Sequence, residues 1–219
     1  CLGGNLSDPA GVFRPLLHLI KPDTNVPRVF AVTVLTSETL PNFGRDGVLF
    51  LADTGLIPEP RVEDLASIAS ETGMLAHHHL GRRVRVALLS HSNLGSSPTK
   101  AALKMSAAAA SAREKVSVDA CEIDGEIQAD VAVDREAAKI KVPNMARKEP
   151  ADVLVFPSLD AAHISLKLLC HIGGASSYGR LIRGLTKPVG QVPRTATEEM
   201  ILGTAAALGV EAIQYRELH

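Results

Sequence analysis

The chain has 219 residues, enough for one large domain or two small ones. It is 46% hydrophobic and 21% charged, with a net charge of -1, 3% aromatic residues and no Trp, which gives neither an electrostatic nor a stacking case for nucleic acid. No apolar run approaches the roughly 18 residues of a membrane span, and three irregularly spaced cysteines (Cys1, Cys121, Cys170) argue against a disulfide framework or zinc and for a reducing cytoplasm. The opening residues, Cys1 to Asn5, read as neither a signal peptide nor a start, but as a chain beginning at an internal point.

A helix is predicted over 8–20: Asp8 caps it, Pro9 suits its first turn, and Val12, Leu16, Leu19 and Ile20 share a face. A β-rich stretch over 28–35, the turn cluster 41–47 and a short strand over 48–52 read as a hairpin. A helix over 61–80 carries Leu65, Ile68, Ala69 and Thr72 on one side and stops at Gly81. The nearly unbroken apolar run 84–89 reads as a buried parallel strand, followed by an Ala-rich helix over 99–115. Next come a strand over 116–123, a helix over 134–142 stopped by Pro143, a polar connector over 144–150, and a strand over 153–156. A helix over 159–172 ends at Gly173 and Gly174, and a strand over 189–192 and a helix over 195–208 close the chain. This alternation predicts an α/β fold with a mostly parallel sheet flanked by helices.

Three segments follow predicted strands, where open α/β sheets bind ligands: Leu89 to Ser96 (LSHSNLGS), Asp124 to Asp130 (DGEIQAD) and Phe156 to Lys167 (FPSLDAAHISLK). The first is small, hydroxyl-rich and sits at a helix N-terminus, where free N–H groups suit an anion. It lacks the Gly-Lys-Ser/Thr ending of a nucleotide P-loop. Its alternative is a structural loop with capping serines. His91 is a candidate general base. Gly125 permits a turn or a close backbone approach, and Glu126, Gln128 and Asp130 share one face if the segment is extended. His77, His78 and His79 point about 100° apart on a helix, too divergent to chelate one ion, and are expected to be exposed at the helix end. Arg194, between the last strand and the last helix, is a candidate anchor for a pyrophosphate or a 3′-phosphate, and Arg14 is a second; the alternative for each is a surface ion pair.

These segments, together with Arg14 to Ile20 (RPLLHLI), Phe50 to Thr54 (FLADT), Val153 to Leu169 and Gly184 to Val189 (GLTKPV), resemble the phosphate acetyl/butyryl transferase (phosphotransacetylase) family along nearly the whole chain. The wording is most similar to the transferase-like C-terminal domain of bacterial malic enzymes. The resemblance implies acyl transfer between CoA and phosphate in a cleft between two α/β lobes, with dimers typical and no metal required. It implies that residues 1–187 form the second lobe with its entry helix. Residues 188–219 would be the strand and helix that return to a first lobe mostly outside this chain.

By that resemblance Arg14 and Arg194 hold phosphate groups and are the catalytic candidates, while Ser92, Gly95, Ser96, Asp124 and Gln128 line the cleft for acetyl-CoA or another short acyl-CoA. The partners expected are an acyl-CoA, inorganic phosphate and a second copy of the chain, with no nucleic acid and no membrane. The family's catalytic "leucine, serine, arginine, glycine" segment reads Val192-Pro193-Arg194-Thr195 here, and its following aspartate falls on Met200. Pro193 has no hydroxyl and Met200 no basic oxygen, so either Glu199 supplies the carboxylate one residue away or catalysis is impaired. The second outcome implies an acetyl-CoA-sensing, oligomerising domain of an NADP-dependent malic enzyme.

Overall fold

A computed structural model describes residues 1–6, 9–40, 42–145 and 149–218. Strand β1 (Leu2–Gly4) leads to helix α1 (Pro9–Leu19), then to β2 (Phe30–Thr36) and β3 (Val48–Ala52), the predicted hairpin. Helix α2 (Val62–Leu80), strand β4 (Val84–Leu89), helix α3 (Lys100–Arg113) and strand β5 (Cys121–Ile127) follow. Short helices α4 (Ala129–Val133) and α5 (Arg135–Lys141) precede β6 (Val153–Val155) and α6 (Leu159–His171). Strands β7 (Ser176–Arg183) and β8 (Val189–Val192) and helix α7 (Glu198–Leu218) complete the fold. The predicted cap Asp8, the turn residue Pro41 and connector residues Ala146, Arg147 and Lys148 lie outside the described residues.

The strands make one sheet in the order β1-β8-β7-β2-β3-β6-β4-β5. Pairs β1–β8, β3–β6, β6–β4 and β4–β5 are parallel, and β8–β7, β7–β2 and β2–β3 are antiparallel. Strands β3, β4, β5 and β6 therefore end at one edge of the sheet, whereas β1 and β8 end at the opposite edge. That reversal decides which predicted site residues can meet.

Alternation on the strands sorts the core into layers. Phe50, Val86, Leu88, Val153 and Val155 face α2 and α3, meeting Leu65, Ile68 and Met105. The Ala-rich pattern of α3 buries Ala102, Met105, Ala109 and Ala112 along one stripe, so α3 approaches its neighbours closely. Thr99 caps it by accepting a 3.3 Å bond from Ala102 N. Full burial of Leu65, Ile68 and Met105 contributes about 1.5–3 kcal/mol each. On the other face Leu35, Leu51, Leu89, Ile127 and Leu154 pack with Val131, Ala138, Ala162 and Leu166. Farther along that face, Phe13 and Leu16 of α1 cover Ala31, Ile182 and Val189 as a separate small cluster.

Several expectations change. The strand expected over 116–123 starts only at Cys121, because Ser117 O accepts from Ala120 N and Cys121 N, closing a turn first. Strands β1 and β7 and the short helix α4 were not foreseen. The last helix starts at Glu198, where Thr197 Oγ1 accepts from Met200 N, and continues past 208 because Glu211 finds a buried partner in Arg183. His79 is not an exposed helix-end residue: its ring packs edge-on against Phe50 at 6.1 Å and its Nε2 is buried. Among the described residues no helix is long and apolar enough to cross a membrane.

Candidate active site

The two apolar clusters on the α1 and α6 face leave a polar strip between them. On β2, Ala31 belongs to the α1 cluster and Leu35 to the α6 cluster, and Thr33 between them is buried on the same side. Opposite Thr33 the register with β7 shifts: Val32 pairs with Leu181 and Val34 with Tyr178, leaving Gly179 and Arg180 both facing one residue. This β-bulge re-aims Arg180 into the strip. A cavity of about 340 Å³ opens there, walled by β7, the C-terminal half of α6 and the β8–α7 connection.

Arg180 is half-buried in this wall, and its Nη1 donates 3.2 Å to Gln191 Oε1. Burial pushes its pKa down, partly offset by the charge of Asp53. Asp53 follows β3 and is itself buried. Its oxygens accept from the backbone N–H groups of Ala31, Gly55, Leu56 and Ile57 at 2.6–3.2 Å. Burial raises its pKa more than these four bonds lower it. Lys167 of α6 also lines the cavity. One turn earlier His163 is held below the usual imidazole range by burial and then by the charges of Lys167 and Arg180.

The β8–α7 connection brings Pro193, Thr195, Thr197, Glu199 and Met200 into the wall. The hydroxyl of Tyr178 donates to Glu199 Oε1 at 3.0 Å. Arg194 lies between two lining residues with its own side chain exposed. Because β1 and β8 are parallel and Asn5 N bonds Val192 O, α1 departs from the same edge as Arg194. Arg14 is exposed on α1 and is not among the lining side chains.

The other predicted residues lie at the opposite edge. Ser92, Gly95 and Ser96 do form a cradle for an anion, but Glu126 fills it: its Oε1 accepts from Ser92 Oγ at 2.9 Å and Gly95 N at 2.6 Å. Ser96 Oγ lies 3.3 Å from Ser92 Oγ. Although burial raises the Glu126 pKa, these bonds prevail and hold it below the usual carboxylate range. Asp124 does not follow the strand but lies inside β5, where Arg85 Nε binds its Oδ2 at 2.7 Å in the interior. Gln128 caps the start of α4, and its Oε1 accepts from Asn93 Nδ2 and Lys141. Asp130 is inside α4, so Glu126, Gln128 and Asp130 do not form one extended polar face. Gly125 makes the expected close approach: a Cβ there would lie 2.8 Å from Leu88 Cβ.

Arg180, Tyr178 and Lys167 had not been singled out. Lys167 ends the stretch from Phe156 to Lys167, where nothing local marks it as a site residue. Tyr178, Leu181 and Ile182 carry enough β-propensity to suggest β7, but only the bulge turns Arg180 into the strip.

A family model of phosphate acetyl/butaryl transferase matches residues 1–208. The phosphate acetyltransferase of Acetivibrio thermocellus is 34% identical over 215 residues, 96% of this chain and 63% of the relative. That of Thermoanaerobacterium thermosaccharolyticum is 32% identical over 213 residues, with 96% and 63% covered. A phosphotransacetylase from Streptococcus pyogenes superposes with a TM-score of 0.84 at 29% identity, covering 97% of this chain and 62% of that one. EutD phosphotransacetylase from Staphylococcus aureus gives 0.81 at 28%, covering 98% and 62%. The chain thus spans a little under two thirds of the length of these relatives. The family model over residues 1–208 and these relatives show that the chain belongs to the phosphate acetyl/butaryl transferase family.

Proposed function

We propose that this chain binds an acyl-CoA, acetyl-CoA or another short one, together with phosphate at the cavity beside β8, and serves acyl transfer between them. The observation that carries the reading is the wall of that cavity. The segment from Val192 to Met200, where the family's catalytic serine and aspartate would fall, is joined there by Arg180 and Lys167. In the forward step a phosphate oxygen attacks the thioester carbonyl carbon. The C–S bond breaks, and CoA leaves as thiolate. Positive charge at the cavity stabilises the developing oxyanion, and orientation supplies the rest. Glu199 stands where a carboxylate can take the proton of the attacking phosphate, doing what Met200 cannot. Arg14 and Arg194 act on this reading as cations at the rim of the same edge. The loop from Ser92 to Ser96 keeps its own carboxylate and plays a structural part.

Residues 1–187 act as one lobe, and 188–219 as the strand and helix that return to a first lobe. A homo-oligomer is supported by Ile164, Leu168 and Ile172, exposed at 59%, 51% and 81% in one stripe along α6 and its C-cap, the helix that also walls the cavity. A reducing cytoplasm suits three free cysteines.

Pro193 favours a second reading. With no hydroxyl at that position, the chain binds acetyl-CoA without efficient turnover and acts as a sensing and oligomerising domain of a malic enzyme. Phosphate-dependent release of CoA thiol from acetyl-CoA, with the longest natural form of the chain, separates the two. Turnover that needs phosphate and falls in Arg194→Ala supports transfer. A folded sample with no turnover that still binds acetyl-CoA leaves sensing.

A further inference from the structure

Arg180 differs from the other buried and half-buried arginines in what it touches. Arg85 binds Asp124, Arg183 binds Glu211, and Arg45 and Arg82 bind Asp152. Arg180 makes one neutral hydrogen bond, to Gln191, and among the described residues no carboxylate stands within ion-pair distance. Asp53 influences it through space, but its oxygens are already taken by four backbone N–H groups. Glu199 is tied to Tyr178. A guanidinium has five N–H donors in a planar fork, so most of this fork is open to the cavity.

The surroundings keep the fork in place. A Cβ at Gly55 would lie 2.8 Å from Arg180 Cδ and 2.9 Å from Nε, so glycine there leaves room for the side chain to lie across the backbone. Gln191, itself buried, holds one end. Lys167 adds a second positive charge to the wall, and Ser177 and Thr195 add hydroxyls.

We propose that Arg180 anchors a phosphoryl subsite in the strip between α1 and α6, taking a phosphate dianion that is either inorganic or carried by CoA. Planar, bidentate binding of two phosphate oxygens matches the open fork, and a charged ligand compensates a half-buried guanidinium with no carboxylate in ion-pair range among the described residues. The two possible sources rest on the acyl-CoA reading above; the subsite itself rests on the geometry of Arg180.

The test is calorimetric titration of the 219-residue protein with inorganic phosphate, with CoA and with CoA lacking its 3′-phosphate. Arg180→Gln is expected to weaken the ligand that uses the subsite by about tenfold or more, as loss of a charged bidentate contact does. Arg180→Lys should restore only part of the binding, since it keeps charge without the fork. Gly55→Ala should weaken binding with the charge intact, and this variant carries the test if Arg180→Gln does not fold. Arg83→Ala, far from the cavity, is the control. Loss for inorganic phosphate alone assigns that source; loss for CoA but not for the shortened CoA assigns the 3′-phosphate. A wild-type protein that binds none of the three, or a folded Arg180→Gln that binds each of them within about twofold of wild type, overturns the subsite. Turnover that survives Arg180→Gln with unchanged binding removes the subsite and keeps acyl transfer. Arg180-dependent binding without turnover keeps the subsite and removes acyl transfer.

Discussion

The hydroxyl of Tyr178 donates a 3.0 Å hydrogen bond to Glu199 Oε1, joining β7 to the first turn of α7 across the wall of the cavity. The bond orients the Glu199 carboxylate, one residue before Met200, in that wall. If Glu199 is the proton acceptor, Glu199→Gln lowers kcat for phosphate-dependent CoA release by about 100-fold with the phosphate KM little changed. Tyr178→Phe, which keeps the acid and loses only its orientation, lowers it by about threefold. Steady-state kinetics of both variants decide this, and an active Glu199→Gln removes the residue from the chemistry.

Glu126 fills the cradle made by Ser92 and Gly95 and is 3% exposed. Glu126→Ala leaves those donors facing an interior without an acceptor and should cost about 1–3 kcal/mol of unfolding free energy, read by urea denaturation. Its folded pKa lies below the ordinary 4.5. The unfolded state therefore takes up the proton first on acidification. Stability from this group is fully present above 4.5 and is lost as pH falls through the folded value. Glu126→Gln should flatten that acid limb.

His79 titrates with the same sign by a different route. Burial, then the charges of Arg183 and His78, depress its pKa below 6.5. The unfolded chain binds a proton that the folded chain resists, so stability is intact above pH 6.5 and declines as pH falls from there towards the folded pKa. His79→Phe keeps an aromatic ring beside Phe50 and removes the buried, unpartnered Nε2. Melting temperatures at pH 7.5 and 5.5 should differ less in this variant than in the wild type; an equal drop in both places the sensitivity elsewhere.

The α6 stripe gives the oligomer proposal a direct test. Leu168→Glu sets a charge in the middle of an exposed aliphatic row without touching a buried contact. Light scattering after size exclusion should report a fall from the dimer mass to the monomer mass, whereas a wild-type monomer excludes the stripe as a self-association surface.

Much of the fold was legible because its signals are local. The apolar run from Val84 to Leu89, interrupted only by Arg85, is a strand buried at all six positions, and the hairpin and helices α2, α3 and α6 fall within a few residues of expectation. What failed were places where β-propensity competes with a turn or where a bulge breaks the alternation. Residues 116–120 have β-propensity but are captured by a turn on Ser117, and β7 looks irregular in sequence because its bulge interrupts the alternation.

The site divides in the same way. Sequence alone determined the family and the anion cradle as a local shape, because motif wording and loop chemistry are properties of contiguous residues. Only the tertiary structure decided that the cradle is filled by Glu126, that Asp124 is bound to Arg85, and that Arg194 and Ser92 belong to opposite edges. Three antiparallel pairings, β8–β7, β7–β2 and β2–β3, reverse the strand direction between those two residues. Strand direction across a sheet is set by hydrogen bonding between distant segments, which no stretch of sequence read by itself contains.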